Sequence, residues 1–187
     1  MDKWPTREEA QKILDEWVSG NNLKNHAYAV EAAMRAYAVK RGGDPDKWGI
    51  VGLLHDFDYE KFPDLDFHPF EGIAYLTDQG YAEELIEGII AHAEHTNVEL
   101  DTDMKKAIYA VDELTGLIVA VALTRPSKKL ADVTMESVLK KWRERSFAAG
   151  VKREMIESGA GELGVLIEDH IDTVLTAMKG ISDKLGL

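Results

Sequence analysis

The chain contains no cysteine among its 187 residues. Disulfides and thiolate metal sites are therefore excluded, and any bound metal must rely on His, Asp, Glu or water. Those ligands suit Mg, Mn, Fe, Co, Ni or Zn, and do not choose among them. Basic residues are in the minority, 22 Lys and Arg against 34 Asp and Glu, for a formal charge of -12. Such a surface opposes general nucleic-acid binding through phosphate neutralisation. It still allows a small anion wherever metal and basic side chains converge. No apolar run approaches the roughly 20 residues needed to cross a bilayer. The segment Met1-Asp2-Lys3-Trp4-Pro5 has no apolar signal core, so the expectation is a cytoplasmic protein with no membrane partner. Internal repeats, low-complexity tracts and long linkers are missing too, and the length predicts one domain over 1–187 with a core of its own.

Strand signals are scarce and helix signals recur, which predicts an all-α fold. Thr6-Arg7-Glu8-Glu9 reads as a capping box, followed by Ile13, Leu14, Trp17 and Val18 at helical spacing, with Gly20 as a stop. A second helix is expected from about Lys24 to Lys40, ending at Gly42-Gly43. Asp44-Pro45 then reads as an N-cap with proline at the first helical position. The helix it starts delivers His55-Asp56 at its C-terminal end. The chain turns irregular from Phe57 to Pro69, and helices resume over Phe70–Gln79 and Ala82–Glu94. Asp103–Leu123 reads as a long, largely buried helix ended by Arg125-Pro126. Thr134 caps Met135–Arg143, and Glu162–Lys179 supplies a final amphipathic helix. Trp4, Trp142 and the apolar C-terminal helix are surfaces a homodimer would use, although nothing in the sequence demands one.

Five of the six histidines fall in the first 95 residues, close to acidic side chains. His55 and Asp56 are adjacent where helical periodicity stops, so both side chains can turn inward. His92 follows the apolar run Ile89-Ile90-Ala91, on the inner side of its expected helix. Asp112 interrupts the most apolar helix of the chain, between Val111 and Leu114. A carboxylate buried there needs a cation, a metal or several donors, since an unpaired one is costly. Arg35 and Lys106 are alternative partners for it.

Taken together, these residues resemble the HD-domain phosphohydrolase superfamily: a His, then His-Asp at a helix end, then an Asp in a later helix. Here they stand as Asn25-His26-Ala27, Leu53-Leu54-His55-Asp56 and Ala110-Val111-Asp112-Glu113-Leu114, with 29 residues from His26 to His55 and 56 from Asp56 to Asp112. The resemblance covers about residues 20–125, an expected HD core, with 126–187 as a C-terminal helical extension. It implies that His26, His55, Asp56 and Asp112 are metal ligands. His68-Pro69-Phe70-Glu71-Gly72 and Ile89-Ile90-Ala91-His92 resemble the further histidines of binuclear members, so that Asp56 would bridge two metals with His68 and His92 serving the second. Many binuclear relatives have His-His where this chain has His92-Ala93, and Ile-Gly where it has Phe57-Asp58. A single metal, with His68 and His92 contacting substrate, is the other arrangement. The stretch from Asp112 through Arg153 also resembles a small subgroup of predicted HD hydrolases.

The activity implied is hydrolysis of a small phosphate ester or nucleotide by metal-activated water, with one or two divalent ions as cofactor. Asp58 and Glu94 are candidates for a general base or for orienting a ligating imidazole. His95, three residues beyond His92, would approach from the same face. Arg125 and Lys128 are the expected anion contacts for the phosphorylated substrate, and Lys140-Lys141-Trp142-Arg143 forms a second basic cluster. Two other readings share the same ligand pattern: a di-iron HD oxygenase acting on a diol or hydroxyphosphonate, and a non-catalytic ligand-binding module.

Overall fold

A computed structural model describes residues 3–187; Met1 and Asp2, part of the segment read above for a signal core, lie outside the described residues. Among the described residues there are ten α-helices and no strand, as the scarcity of strand signals predicts. They are α1 (Arg7–Trp17), α2 (Asn21–Arg41), α3 (Pro45–Leu54), α4 (Phe70–Asp78), α5 (Glu83–Ile90), α6 (Asp103–Leu123), α7 (Met135–Arg143), α8 (Arg153–Glu162), α9 (Ile167–Lys179) and α10 (Ser182–Leu185). None of them is long and apolar enough to cross a membrane.

Local capping chemistry sets several boundaries. Thr6 and Glu9 form the reciprocal capping box of α1, with the Thr6 N–H donating to Glu9 Oε2 at 2.7 Å. Asp44 accepts from the Asp46 and Lys47 amides at the start of α3, and Thr134 with Ser137 closes the first turn of α7. α6 begins on Thr102, whose side chain accepts from the Lys105 amide.

Three boundaries differ from the sequence reading. Gly20 does not end α1, which stops at Trp17; it is the N-cap of α2, held with Ser19 by the Glu60 carboxylate forty residues on. α5 stops at Ile90 rather than Glu94. The Ile89 carbonyl, which a continuing helix would offer to Ala93, is taken by the His92 amide and by His92 Nδ1 at 2.6 Å. The final amphipathic helix starts at Ile167 rather than Glu162, and α8 and α10 lie outside the sequence reading. Gly159 weighs against a helix there, but a Cβ at that position would lie 2.5 Å from Ala110 Cα, so the glycine is what lets α8 close onto α6.

At the centre α2 packs along α3, α6 and α9, and α6 packs on α8. The seam between α2 and α3 is tight because Gly52 has no side chain; a Cβ would meet Val30 O at 2.9 Å. That approach sets the end of α3, with His55, beside His26 on α2. His170 ties α9 to the same core. Its Nε2–H donates to Ala110 O on α6 at 2.9 Å, and its Nδ1 accepts from the Tyr37 hydroxyl of α2 at 2.6 Å. Trp4 and Trp142 are half-buried and pack against the core.

Candidate metal centre

Three helices and two turns bring six donors to one point. α2 supplies His26, the end of α3 supplies His55 and Asp56, and α6 supplies Asp112. His68 comes from the turn before α4 and His92 from the turn after α5. The donors fall into two trios able to hold a metal ion, His26–His55–Asp112 and Asp56–His68–His92. Asp56 faces both trios. Its Oδ1 lies 3.3 Å from His68 Nε2 and 3.2 Å from His92 Nε2, and its Oδ2 lies 3.4 Å from His55 Nε2. Asp112 Oδ1 lies 2.9 Å from His26 Nε2 and 3.5 Å from His55 Nε2. Arg35 and Lys106 are engaged elsewhere, with Glu31 and Asp46 and with Glu162 respectively.

The hydrogen bonds behind the rings assign their tautomers. His55 Nδ1–H donates to Gly52 O at 2.8 Å, His92 Nδ1–H to Ile89 O at 2.6 Å, and His68 Nδ1–H to Asp58 Oδ1 at 2.8 Å. His26 Nδ1–H donates to the Thr115 hydroxyl at 3.2 Å, which in turn donates to Asp112 O at 2.8 Å. All four Nδ1 protons are therefore committed outward, and all four Nε2 atoms point inward, where each can bind a proton or a metal ion. His26 and His55 Nε2 are 3.1 Å apart, as are His68 and His92 Nε2. Two lone pairs at that distance repel unless a cation lies with them. A proton can serve one such pair, whereas a divalent ion serves a trio, so the donor set fits a metal.

The local field has the same sign. Burial opposes a charge on His55, but Asp56 and Asp112 outweigh it and raise its pKa well above that of an ordinary imidazole. Burial likewise opposes a charged His68, yet Asp56 and Asp58 lift it to about 9. Asp112 is held far below the usual carboxylate range against its burial by His55 and His26. The centre is built to stabilise positive charge.

Five of the six donors, all but the fully buried His55, line a cavity of about 410 Å³. Glu94 and His95 line it as expected from their positions near His92; His95 Nε2–H donates to His68 O at 3.0 Å. Asp58 does not line it. That carboxylate is fully buried, accepting from His68 on one oxygen and from the Gly72 amide, at 2.9 Å, on the other. It therefore orients an imidazole and is in no position to act as a base in the cavity. Arg125 and Lys128 do not reach the cavity either. α6 carries the chain roughly 16 Å beyond Asp112 before Arg125, where Arg125 is half-buried and Lys128 exposed.

The cation on the wall is instead Lys152. Buried Arg153 holds it in place by donating to the carbonyls of Trp142, Glu144, Phe147, Ala148 and Val151, which folds the loop after α7 back toward the site. The Lys152 amide donates to Glu113 Oε2 at 3.2 Å. Burial and the neighbouring Asp112 raise the Glu113 carboxyl above its ordinary value. Thr115, Glu113, Lys152 and Tyr59 were not among the residues expected from sequence. Only Thr115 carried a local signal, a hydroxyl one helical turn beyond Asp112 in an apolar run.

A family model described as HD domain matches residues 23–146, about two thirds of the chain. Searches of curated proteins and of solved structures return no match. The match begins near the start of the core expected from sequence, runs through α7, and contains all six donors. The chain therefore belongs to the HD domain family.

Proposed function

We propose that the chain is a metal-dependent phosphohydrolase that acts on a small phosphate ester or nucleotide and holds two divalent ions. The observation that carries this reading is the inward convergence of four Nε2 atoms on Asp56 and Asp112, with the two oxygens of Asp56 turned to different trios. Bound divalent metal would supply a water of lowered pKa and positive charge for the phosphoryl oxygens. The residues of the chain then have separate tasks. The six donors hold the ions, and Asp58 and Thr115 fix the rings of His68 and His26. Lys152 offers the anion a side-chain charge, while Tyr59, Leu65 and Met155 give the cavity an apolar wall. The cavity volume suits a small ligand.

The test is metal content by mass spectrometry on protein purified without a metal-affinity tag, followed by assay of a phosphate-ester panel after loading with Mn, Fe, Co, Ni, Mg or Zn. Two equivalents, one of them lost in His68→Ala and in His92→Ala, together with metal-dependent phosphate release, is the expected result. Iron as the main species with oxygen-dependent turnover would replace this reading by an oxygenase. Absence of metal under every loading condition would leave a ligand-binding module.

A further inference from the structure

Two acidic side chains face the cavity without belonging to either donor trio. Glu113 follows Asp112 on α6, and Glu94 lies in the turn after His92. Among the described residues neither has an ion-pair partner, and Glu113 accepts only the Lys152 backbone amide. Against them stands one Lys side chain, Lys152; no other Lys or Arg lines the cavity. The wall outside the trios is therefore net negative.

The size of the cavity makes this charge count for any ligand inside it. A sphere of 410 Å³ is roughly 9 Å across, close to the Debye length of about 8 Å at physiological ionic strength. A ligand held by one phosphoryl group at the metal centre cannot take a second charge beyond the reach of Glu94 and Glu113 while it remains enclosed. Screening is weaker still because part of the wall is apolar side chain rather than water.

Resting on the phosphoester reading above, we infer that the site selects substrates with a single phosphoryl group and a remainder free of further negative charge, with Glu94 and Glu113 as the specificity residues. The phosphoryl dianion is drawn to the metal centre and Lys152. A carboxylate, sulfate or second phosphate on the same molecule meets two unpaired carboxylates and is rejected by that repulsion rather than by shape. A neutral remainder has Tyr59, Leu65 and Met155 to lie against.

Calorimetric titration of the manganese-loaded full chain with two probes of one carbon skeleton, glycerol phosphate and phosphoglycerate, tests the inference. Glycerol phosphate should bind about tenfold more tightly, the scale of one like-charge contact at short range. The gap should shrink about threefold in Glu94→Gln, an exposed position whose change leaves the core intact, and further in Glu94→Gln/Glu113→Gln. Equal or tighter binding of phosphoglycerate to the unaltered chain, binding of neither probe, or a gap that the Gln variants leave unchanged would overturn it. Tight binding of glycerol phosphate with no hydrolysis of any ester would overturn the hydrolase reading and leave the charge selection standing.

Discussion

His55, which caps α3, and His170, on α9, are both wholly buried beside α6, yet their environments are opposite. Both ring nitrogens of His170 are satisfied by neutral partners, the Ala110 carbonyl and the Tyr37 hydroxyl. Burial then dominates and pushes its pKa down to about 4. His55 satisfies one nitrogen with a neutral carbonyl and presents the other to Asp56 and Asp112, so that its pKa moves upward despite complete burial. Burial alone says little about the role of a histidine. The decisive feature is whether the inner nitrogen has a neutral partner or is left with lone pairs and carboxylates that call for a cation.

The largest effect that would break this contrast is at Asp112. Asp112→Ala removes the carboxylate facing His26 and His55, so bound metal should fall by one equivalent and phosphate release should be lost. Metal analysis and the ester assay on the same preparation read both. Retained turnover with reduced stability would mean that this cluster is as structural as His170.

His170 itself should behave in the converse way. His170→Ala leaves the Tyr37 hydroxyl and a core volume unfilled, at a cost of about 3 kcal/mol, a fall of roughly 6–12 °C in Tm for a chain of this size. Metal content should stay unchanged. The pH dependence carries a sign. Because the folded pKa of about 4 lies below the ordinary 6.5, the unfolded chain takes up the proton first as pH falls. Stability from this residue is full above pH 6.5 and is lost progressively toward pH 4, by up to about 3 kcal/mol. Denaturant titrations of the unaltered chain and His170→Gln should therefore converge toward pH 4, and parallel curves would contradict a neutral His170.

What could be seen from sequence follows the same division between local and distant causes. The caps at Thr6, Asp44 and Thr134 act within three residues, and the bounds of α6 lie between polar Thr102 and Arg125-Pro126, so these elements were legible. Gly20 was misread because the group that makes it an N-cap, Glu60, is remote in sequence. α8 was missed because Gly159 and Gly161 weigh locally against a helix, while the close approach to Ala110 that calls for Gly159 exists only in the fold. At the site, His55-Asp56 stood out at a helix end and Asp112 inside an apolar helix, whereas His26 was visible only through the resemblance to HD domains. Lys152 did not stand out, because Arg153 brings its loop back to the cavity through five carbonyls spread over residues 142–151, a fold that no local spacing announces.

Residues behind the ligands sharpen the comparison at an intermediate scale. Asp58 accepts two N–H groups with two oxygens. Asp58→Asn keeps the shape but has one acceptor oxygen, so either His68 or Gly72 loses its partner and the tautomer of His68 is no longer enforced. Metal affinity should fall about 10–100-fold, as for other residues that orient a ligand. Thr115→Val should weaken the His26 trio similarly, since the Nδ1–H of His26 loses its acceptor. Titration with a chelator separates the two, because each variant should loosen one equivalent of metal and leave the other as it was.

The smallest expected effect is at Lys152, and it tests whether the wall matters as distinct from the centre. Its side chain is exposed, so solvent screens its charge and the contribution to binding an anion should be modest, about threefold to tenfold. Lys152→Met keeps the aliphatic stem, and the backbone amide still reaches Glu113, so the loop held by Arg153 stays in place. KM for a phosphate ester should rise by that factor, and the rise should diminish in high salt, while bound metal remains unchanged. A loss confined to kcat, insensitive to salt, would instead place Lys152 in the reacting centre and move the anion contact from the wall to the ions alone.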